Sequence, residues 1–133
     1  MLLGSAICAA LTGASKRAIL EVGDIGLQRP RVVSIAGGEY LRKEQDEIRG
    51  SGYCVDSLEA ALWCFARTDS FGDAVLRAAN LGDDADTTAA IVGQIAGAHY
   101  GEEGIPQHWR TRVALADEIA AMAEGLLGQA ECR

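Results

Sequence analysis

Apolar positions at the start of the chain recur at the spacing of an α-helix, in which one face repeats every three or four residues. They are Leu2, Leu3, Ala6, Ile7, Ala10 and Leu11. A helix is therefore predicted there, ending near Gly13, with a short second helix over residues 16–21.

Residues 23–38 are rich in glycine and contain a proline, which predicts a loop with little regular structure. The highly charged residues 39–48 predict a short solvated helix or a flap.

The centre of the chain carries two patterns that mark the starts of helices. Asp56 followed by Glu59 resembles an N-terminal capping box, which predicts a helix through "LEAALWCFAR". Its apolar positions are Leu58, Ala61, Leu62 and Phe65 on one face and Trp63 on the flank. Ser70 and Asp73 repeat the capping pattern before "AVLRAAN", and residues 80–82 are expected to end that second helix.

The stretch "TTAAIVGQIAGAHYG", residues 87–101, predicts a helix lined with small residues. Small side chains allow neighbouring helices to approach closely, so this helix is expected deep in the fold. A turn at Ile105–Pro106 and one or two amphipathic helices should follow. Alanine and leucine dominate the chain and proline occurs only twice, which favours helices. These patterns predict an all-α fold, a compact helical bundle in which residues 1–133 form a single domain.

Charge and cysteine usage narrow the function classes. Twelve Lys and Arg against 19 Asp and Glu give a net charge of −7, which argues against binding to nucleic acid or to an anionic membrane. The apolar start is too short to span a bilayer and has no basic residue before it, so a core helix is expected instead of a signal peptide. Cys8, Cys54, Cys64 and Cys132 form no C-x-x-C pair. Unpaired cysteines of this kind predict reduced thiols and a cytoplasmic protein. The cysteines that lie in apolar runs are expected to be buried.

The run "LGDDADTTAA", residues 81–90, places Asp83, Asp84 and Asp86 within four residues. Like charges about 6 Å apart repel by roughly 1–3 kcal/mol, so a helix N-terminus, a cation, or both should offset the repulsion. A helix N-terminus needs only one cap, whereas three carboxylates are present here. Thr87 adds a hydroxyl oxygen to the same short stretch. Oxygen ligands without His or Cys suit Mg²⁺ or Mn²⁺, and one loop rarely supplies all the ligands of such an ion.

Three segments carry a resemblance to a known family. They are "SGYCVDSLEAALWCF" (51–65), "AVLRAANLGDDADTTAAIVGQIAGAHYG" (74–101) and "GIPQHW" (104–109). Together they resemble the carboxy-terminal half of the ADP-ribosylglycohydrolase family, the relatives of dinitrogenase reductase-activating glycohydrolase. The resemblance implies an all-α fold and hydrolysis at the anomeric carbon of ADP-ribose. The expected substrates are proteins ADP-ribosylated on arginine or serine, or small ADP-ribosyl compounds, with two Mg²⁺ ions in a central cleft.

The resemblance also implies roles for particular residues. Asp84, Asp86 and Thr87 match the family's second metal motif, with Asp83 beside them as a helix cap or as a hydrogen-bond partner of the ligands. Residues around the Gly-Tyr step contact ADP-ribose in the family, which points to Ser51, Gly52 and Tyr53. An aromatic at the edge of the core, with its hydroxyl in water, is the alternative for Tyr53.

The chain lacks the Thr-Asp-Asp run that forms the family's first metal motif. It is therefore expected to begin in the middle of the family fold, to lack the proton-transfer acid, and to bind Mg²⁺ weakly alone. An exposed apolar surface should favour self-association or a complementary amino-terminal half. His99, near a helix end, is a weak catalytic candidate. His108 is expected to lie at the surface or to serve only in packing. The rival hypothesis is a non-catalytic helical interaction module, a remnant of the same fold.

Overall fold

The computed structural model describes residues 1–21, 23, 26 and 28–130. These residues form eight α-helices and three short 3₁₀ helices, and they contain no β-strand. The α-helices are α1 (Leu2–Leu11), α2 (Lys16–Leu20), α3 (Pro30–Ala36), α4 (Cys54–Ala66), α5 (Phe71–Ala79), α6 (Ala85–Tyr100), α7 (Gln107–Arg110) and α8 (Ala116–Ala130). The 3₁₀ helices are Glu39–Arg42, Gln45–Glu47 and Glu102–Gly104. The predicted all-α fold is confirmed.

Helix α6 lies at the centre of the fold, packed against α5, α4 and α1. Val92, Ile95 and Ala96 on this helix are fully buried. Its glycines Gly93 and Gly97 lie against α5, where a Cβ would also fit. A Cβ built on Gly97 would lie 3.7 Å from the ring of Phe71 in α5, in ordinary van der Waals contact. The prediction of a deeply packed helix at this position is therefore confirmed.

Helix α4 is more deeply buried than its pattern suggests. Trp63, predicted on the flank, is 1% exposed, and its Nε1 donates a hydrogen bond to the Lys43 carbonyl over 2.9 Å. The capping box predicted for Asp56 and Glu59 is wrong, because the helix begins at Cys54 with Tyr53 at the N-cap position. Both carboxylates lie inside the helix and face basic side chains instead.

The second predicted cap is confirmed. The backbone N–H of Asp73 donates to the Ser70 side chain over 3.1 Å, and α5 ends at Ala79 as expected.

The glycine-rich stretch was predicted as loop, but residues 30–36 of it form α3. Pro30 suits the first helical turn, where its missing N–H has no intrahelical partner to lose. Ile35 and Ala36 are buried, so packing outweighs the local loop signals. The charged segment that follows is anchored by Tyr40, which is fully buried and donates through its hydroxyl to the Leu20 carbonyl over 3.1 Å. Burial raises the pKa of this phenol.

The predicted helices after Ile105–Pro106 are present as α7 and α8. Residues 116–128 of α8 are exposed along their whole length. Its exposed apolar side chains include Ile119, Met122, Leu126 and Leu127. This helix therefore presents an unpartnered apolar surface. Within the described part of the chain, no helix is long and apolar enough to cross a membrane.

The cysteine prediction is only partly correct. Cys8, Cys54 and Cys64 are free thiols, but only Cys64 is buried, and burial raises its pKa to about 12. Cys8 and Cys54 are exposed, because the neighbouring helices cover other faces of α1 and α4. Cys132 lies outside the described residues.

Candidate functional site

The structure brings together the two sets of residues that the sequence singles out. The backbone N–H of Asp84 donates to the Gly50 carbonyl over 2.8 Å, which joins the loop before α4 to the start of α6. A Cβ on Gly52 would lie 3.4 Å from the Asp84 Oδ2 atom. The candidate substrate loop, residues 50–53, therefore lies directly against the candidate metal ligands.

Gly50 is required at this junction because the Thr88 side chain leaves no room for a Cβ. A Cβ at this position would lie 2.8 Å from the Thr88 Oγ1 atom, closer than real Cβ contacts allow. Thr88 is fully buried, and its hydroxyl donates to the Asp84 carbonyl over 3.1 Å. A hydrogen-bonded, buried side chain has little freedom to move, so only glycine allows the two segments to meet.

The acidic arc, residues 83–87, turns sharply into α6. Gly82 has φ 83° and Asp83 has φ 53°, so consecutive residues adopt the left-handed conformation. Asp84 occupies the N-cap position, yet its side chain makes no capping hydrogen bond. Helix capping therefore does not account for the Asp84 carboxylate.

Asp84 and Asp86 are neighbours at the start of α6. A hydrogen bond between them, together with the backbone N–H groups of Thr87 and Asp86, lowers the pKa of Asp86. Two carboxylates in such contact are favoured by a shared proton or a shared cation. Asp84 is half-buried, whereas Asp83, Asp86 and Thr87 are exposed.

The donor chemistry of the acidic arc fits a hard divalent cation, since it combines two carboxylates with an adjacent threonine hydroxyl. Over the described ranges, no group of three or more His, Cys, Asp or Glu side chains is arranged to hold a metal ion. The described residues of the arc therefore do not form a complete metal site by themselves.

The substrate loop is held by hydrogen bonds inside the loop and to α4. The Ser51 hydroxyl donates to Asp56 Oδ2 over 2.7 Å and accepts from the backbone N–H of Tyr53 over 3.2 Å. The Ser57 hydroxyl donates to the Ser51 carbonyl over 2.5 Å. Ser51 therefore shapes the loop, while Gly52 and Tyr53 form its exposed edge.

The Tyr53 ring is 57% exposed and borders a groove of about 510 Å³. The other residues lining the groove are Arg29, Pro30, Arg31, Val32 and Val55. An exposed aromatic ring beside guanidinium groups suits a ligand that combines a planar base with phosphate.

Sequence reasoning missed a group of charged side chains beside this loop. Arg31 of α3 lies 2.5 Å from Asp56 Oδ1 and 3.5 Å from Glu59 Oε2. Lys43 lies 2.5 Å from Glu59 Oε1. The hydrogen bond from Ser51 is the largest influence lowering the pKa of Asp56, assisted by Arg31. The sequence pattern predicts Asp56 as a helix cap, and no local pattern links Arg31 to it.

Neither histidine belongs to this site. His99 lies 15 positions after Asp84, at the other end of α6, which at 1.5 Å per residue places them about 22 Å apart. Its ring packs edge-on against Phe65 and Tyr100, with centroid distances of 5.5 and 4.8 Å. His108 is exposed beside Trp109, with a centroid distance of 5.8 Å.

Comparison with known proteins gives a consistent result. The family model described as ADP-ribosylglycohydrolase matches residues 1–133. The chain is 47% identical over 129 residues to the ADP-ribosylarginine hydrolase Tri1 of Pseudomonas putida, covering 97% of this chain and 34% of that protein. It is 36% identical over 84 residues to the ADP-ribosyl-[dinitrogen reductase] glycohydrolase of Rhodospirillum rubrum. That match covers 62% of this chain and 29% of that protein.

A solved structure, described as an ADP-ribosylglycohydrolase-related protein complex, superposes with a TM-score of 0.83 at 36% identity. The match covers 92% of this chain and 43% of the solved chain. The chain spans about a third of the length of the curated relatives it matches. With the family model matching the whole length and the fold agreeing closely, this chain belongs to the ADP-ribosylglycohydrolase family.

Proposed function

We propose that this chain supplies one part of the active site of a magnesium-dependent hydrolase that cleaves the glycosidic bond of ADP-ribosylated substrates. The observation that carries the proposal is the Asp84–Gly50 hydrogen bond, which fixes the acidic arc against the substrate loop. ADP-ribosylated arginine is the favoured substrate class. Two relatives at 47% and 54% identity, from Pseudomonas putida and Serratia proteamaculans, are named ADP-ribosylarginine hydrolases.

Asp84, Asp86 and Thr87 are the residues that would hold Mg²⁺, with Mn²⁺ as the alternative ion and a pair of ions in the complete site. When bound, a divalent cation supplies a positive charge that orients oxygen atoms and stabilises developing negative charge. The chain's own contribution is to hold the Asp84 carboxylate against Gly52 of the substrate loop, with Asp86 beside it at the start of α6. Gly52 leaves room for a ligand to approach Asp84, and the Tyr53 ring offers a face for stacking.

We assign the proton-transfer acid of the reaction to a complementary segment of the family fold. Among the described residues, no group of three or more His, Cys, Asp or Glu side chains is arranged to hold a metal ion, so the acidic arc needs further ligands. We therefore propose that the chain works with the remaining part of a family fold, joined covalently or as a separate polypeptide.

A chimera tests this proposal directly. Residues 1–133 replace the aligned region of the Pseudomonas putida relative, and release of ADP-ribose from an ADP-ribosylated arginine substrate is measured. The chimera is expected to turn over with Mg²⁺ and to lose activity in EDTA, because the metal ligands of this chain complete the site. A folded chimera that remains inactive at saturating Mg²⁺ would contradict the proposal.

The second candidate function is that of a non-catalytic interaction module, and the exposed surface of α8 favours it. Ile119, Met122 and Leu126 follow the three- and four-residue spacing of one helix face and are 50–70% exposed. Such a surface favours association with a second copy or with a complementary half. A stable complex between this chain and the rest of the relative, without turnover, is the result that favours this alternative.

A further inference from the structure

A continuous series of polar contacts leads from α3 to the substrate loop. Arg31 contacts Asp56 Oδ1 at 2.5 Å, and Asp56 Oδ2 accepts the Ser51 hydroxyl at 2.7 Å. The Ser51 oxygen then accepts the backbone N–H of Tyr53 at 3.2 Å. Each Asp56 oxygen thus contacts a different partner.

The Arg31 guanidinium is itself held in place by a second acidic residue. Its Nη2 atom lies 3.5 Å from Glu59, whose side chain is 9% exposed and is paired on its other oxygen with Lys43. The Asp56 side chain is 20% exposed and the Arg31 side chain is 57% exposed, so the contact is shielded from water on the Asp56 side only. Partly buried, charge-assisted contacts of this kind hold geometry better than exposed ion pairs do.

We propose that Arg31 is a positioning residue, which acts through Asp56 and Ser51 to hold the Ser51–Tyr53 loop in the geometry that receives ADP-ribose. The assignment to ADP-ribose rests on the function proposed above, whereas the control of loop geometry does not. Without Arg31, the Asp56 carboxylate can rotate toward water, and the Ser51 hydroxyl loses its fixed acceptor. The Tyr53 backbone then loses the ordered oxygen to which it donates.

The charged groups around Asp56 are consistent with this assignment. Arg31 from α3 and Arg49 from the preceding segment both lower the pKa of Asp56, and Glu59 on the same helix shares the Arg31 guanidinium. Lys43 lies on the far side of Glu59 and neutralises it. Asp56 therefore remains a carboxylate, able to accept the Ser51 hydroxyl, throughout the neutral range.

The first test measures amide hydrogen exchange at Tyr53 in the chain itself. Arg31→Met is expected to accelerate exchange at Tyr53 by about tenfold while leaving core amides such as Ile95 unchanged, because one charge-assisted contact is lost locally. Arg31→Lys, which keeps the charge, should restore part of the protection. Arg17→Met is the matched control, since it removes an exposed arginine paired with Glu21 in α2. Unchanged exchange at Tyr53 in Arg31→Met would overturn the proposal.

The second test separates this proposal from the proposed function. In the active chimera, Arg31→Met should raise KM by about tenfold with kcat changed less than twofold, the pattern of lost ligand binding. A raised KM without faster Tyr53 exchange would overturn positioning, because Arg31 would then act on the ligand directly. A chimera that is inactive without any substitution contradicts the proposed function, and Tyr53 exchange still decides the role of Arg31.

Discussion

Asp84→Ala and Asp86→Ala are each expected to lower magnesium-dependent turnover of the chimera by about 100-fold or more, since each removes a carboxylate that we propose as a metal ligand. Helix content measured by circular dichroism should stay unchanged. Asp84 makes no capping hydrogen bond, so stability without metal should not fall in Asp84→Ala. Asp86→Ala removes a carboxylate from the first turn of α6 and should lower that stability slightly. Asp46→Ala, at an exposed carboxylate in the 3₁₀ helix Gln45–Glu47, is the matched control and should leave turnover unchanged.

The same variants distinguish metal binding from helix capping. An aspartate that caps a helix contributes about 1 kcal/mol through its side chain. Asp84 makes no such hydrogen bond, so its replacement should spare the free energy of unfolding while removing activity. Normal turnover in both variants, with a stability loss of about 1 kcal/mol in Asp84→Ala, would show that the acidic arc is a helix start and no more.

Gly50→Ala is expected to lower the free energy of unfolding by roughly 1–3 kcal/mol and to remove turnover in the chimera. The added methyl group would lie 2.8 Å from Thr88 Oγ1, so the substrate loop and the acidic arc must separate. Gly4→Ala in α1 is the control, because a Cβ there meets nothing within 4 Å. That variant should gain about 0.5–1 kcal/mol from better helix propensity.

A double-mutant cycle identifies the cause of the Gly50→Ala effect. Thr88→Ala removes the hydroxyl that the new methyl group would meet, so the double variant should be more stable than the sum of the single changes by about 0.5–3 kcal/mol. Chemical denaturation measures all four proteins. Strict additivity would contradict the steric account and would mean that Gly50 is needed for some other reason.

Local patterns predicted the parts of this structure that depend on local physics. Helix α6 follows from its run of small and apolar residues, and Ser70 caps α5 as its spacing indicates. The acidic arc was recognisable because three carboxylates within four residues are costly wherever they lie. The meeting of this arc with Gly50 could not be predicted, since it depends on a hydrogen bond between segments 34 residues apart.

The incorrect predictions share a physical cause. Contacts with residues distant in the sequence override the local signals. Glycine and proline predicted a loop over residues that form α3, whose buried Ile35 and Ala36 stabilise it through packing. Asp56 and Glu59 have the spacing of a helix cap, but Arg31 and Lys43 provide stronger partners for them. Ion pairs across 25 and 16 positions leave no periodic signature in the sequence.

Calorimetric titration with Mg²⁺ tests the central claim most directly, which is that the acidic arc supplies part of a divalent-cation site completed by another segment. The chain is titrated alone and then mixed with the remaining part of the Pseudomonas putida relative, with ADP-ribose present in both cases. The account predicts weak binding alone and saturable binding in the mixture, lost when Asp84→Ala is used. Tight binding by the chain alone, or binding in the mixture that Asp84→Ala leaves intact, would contradict it.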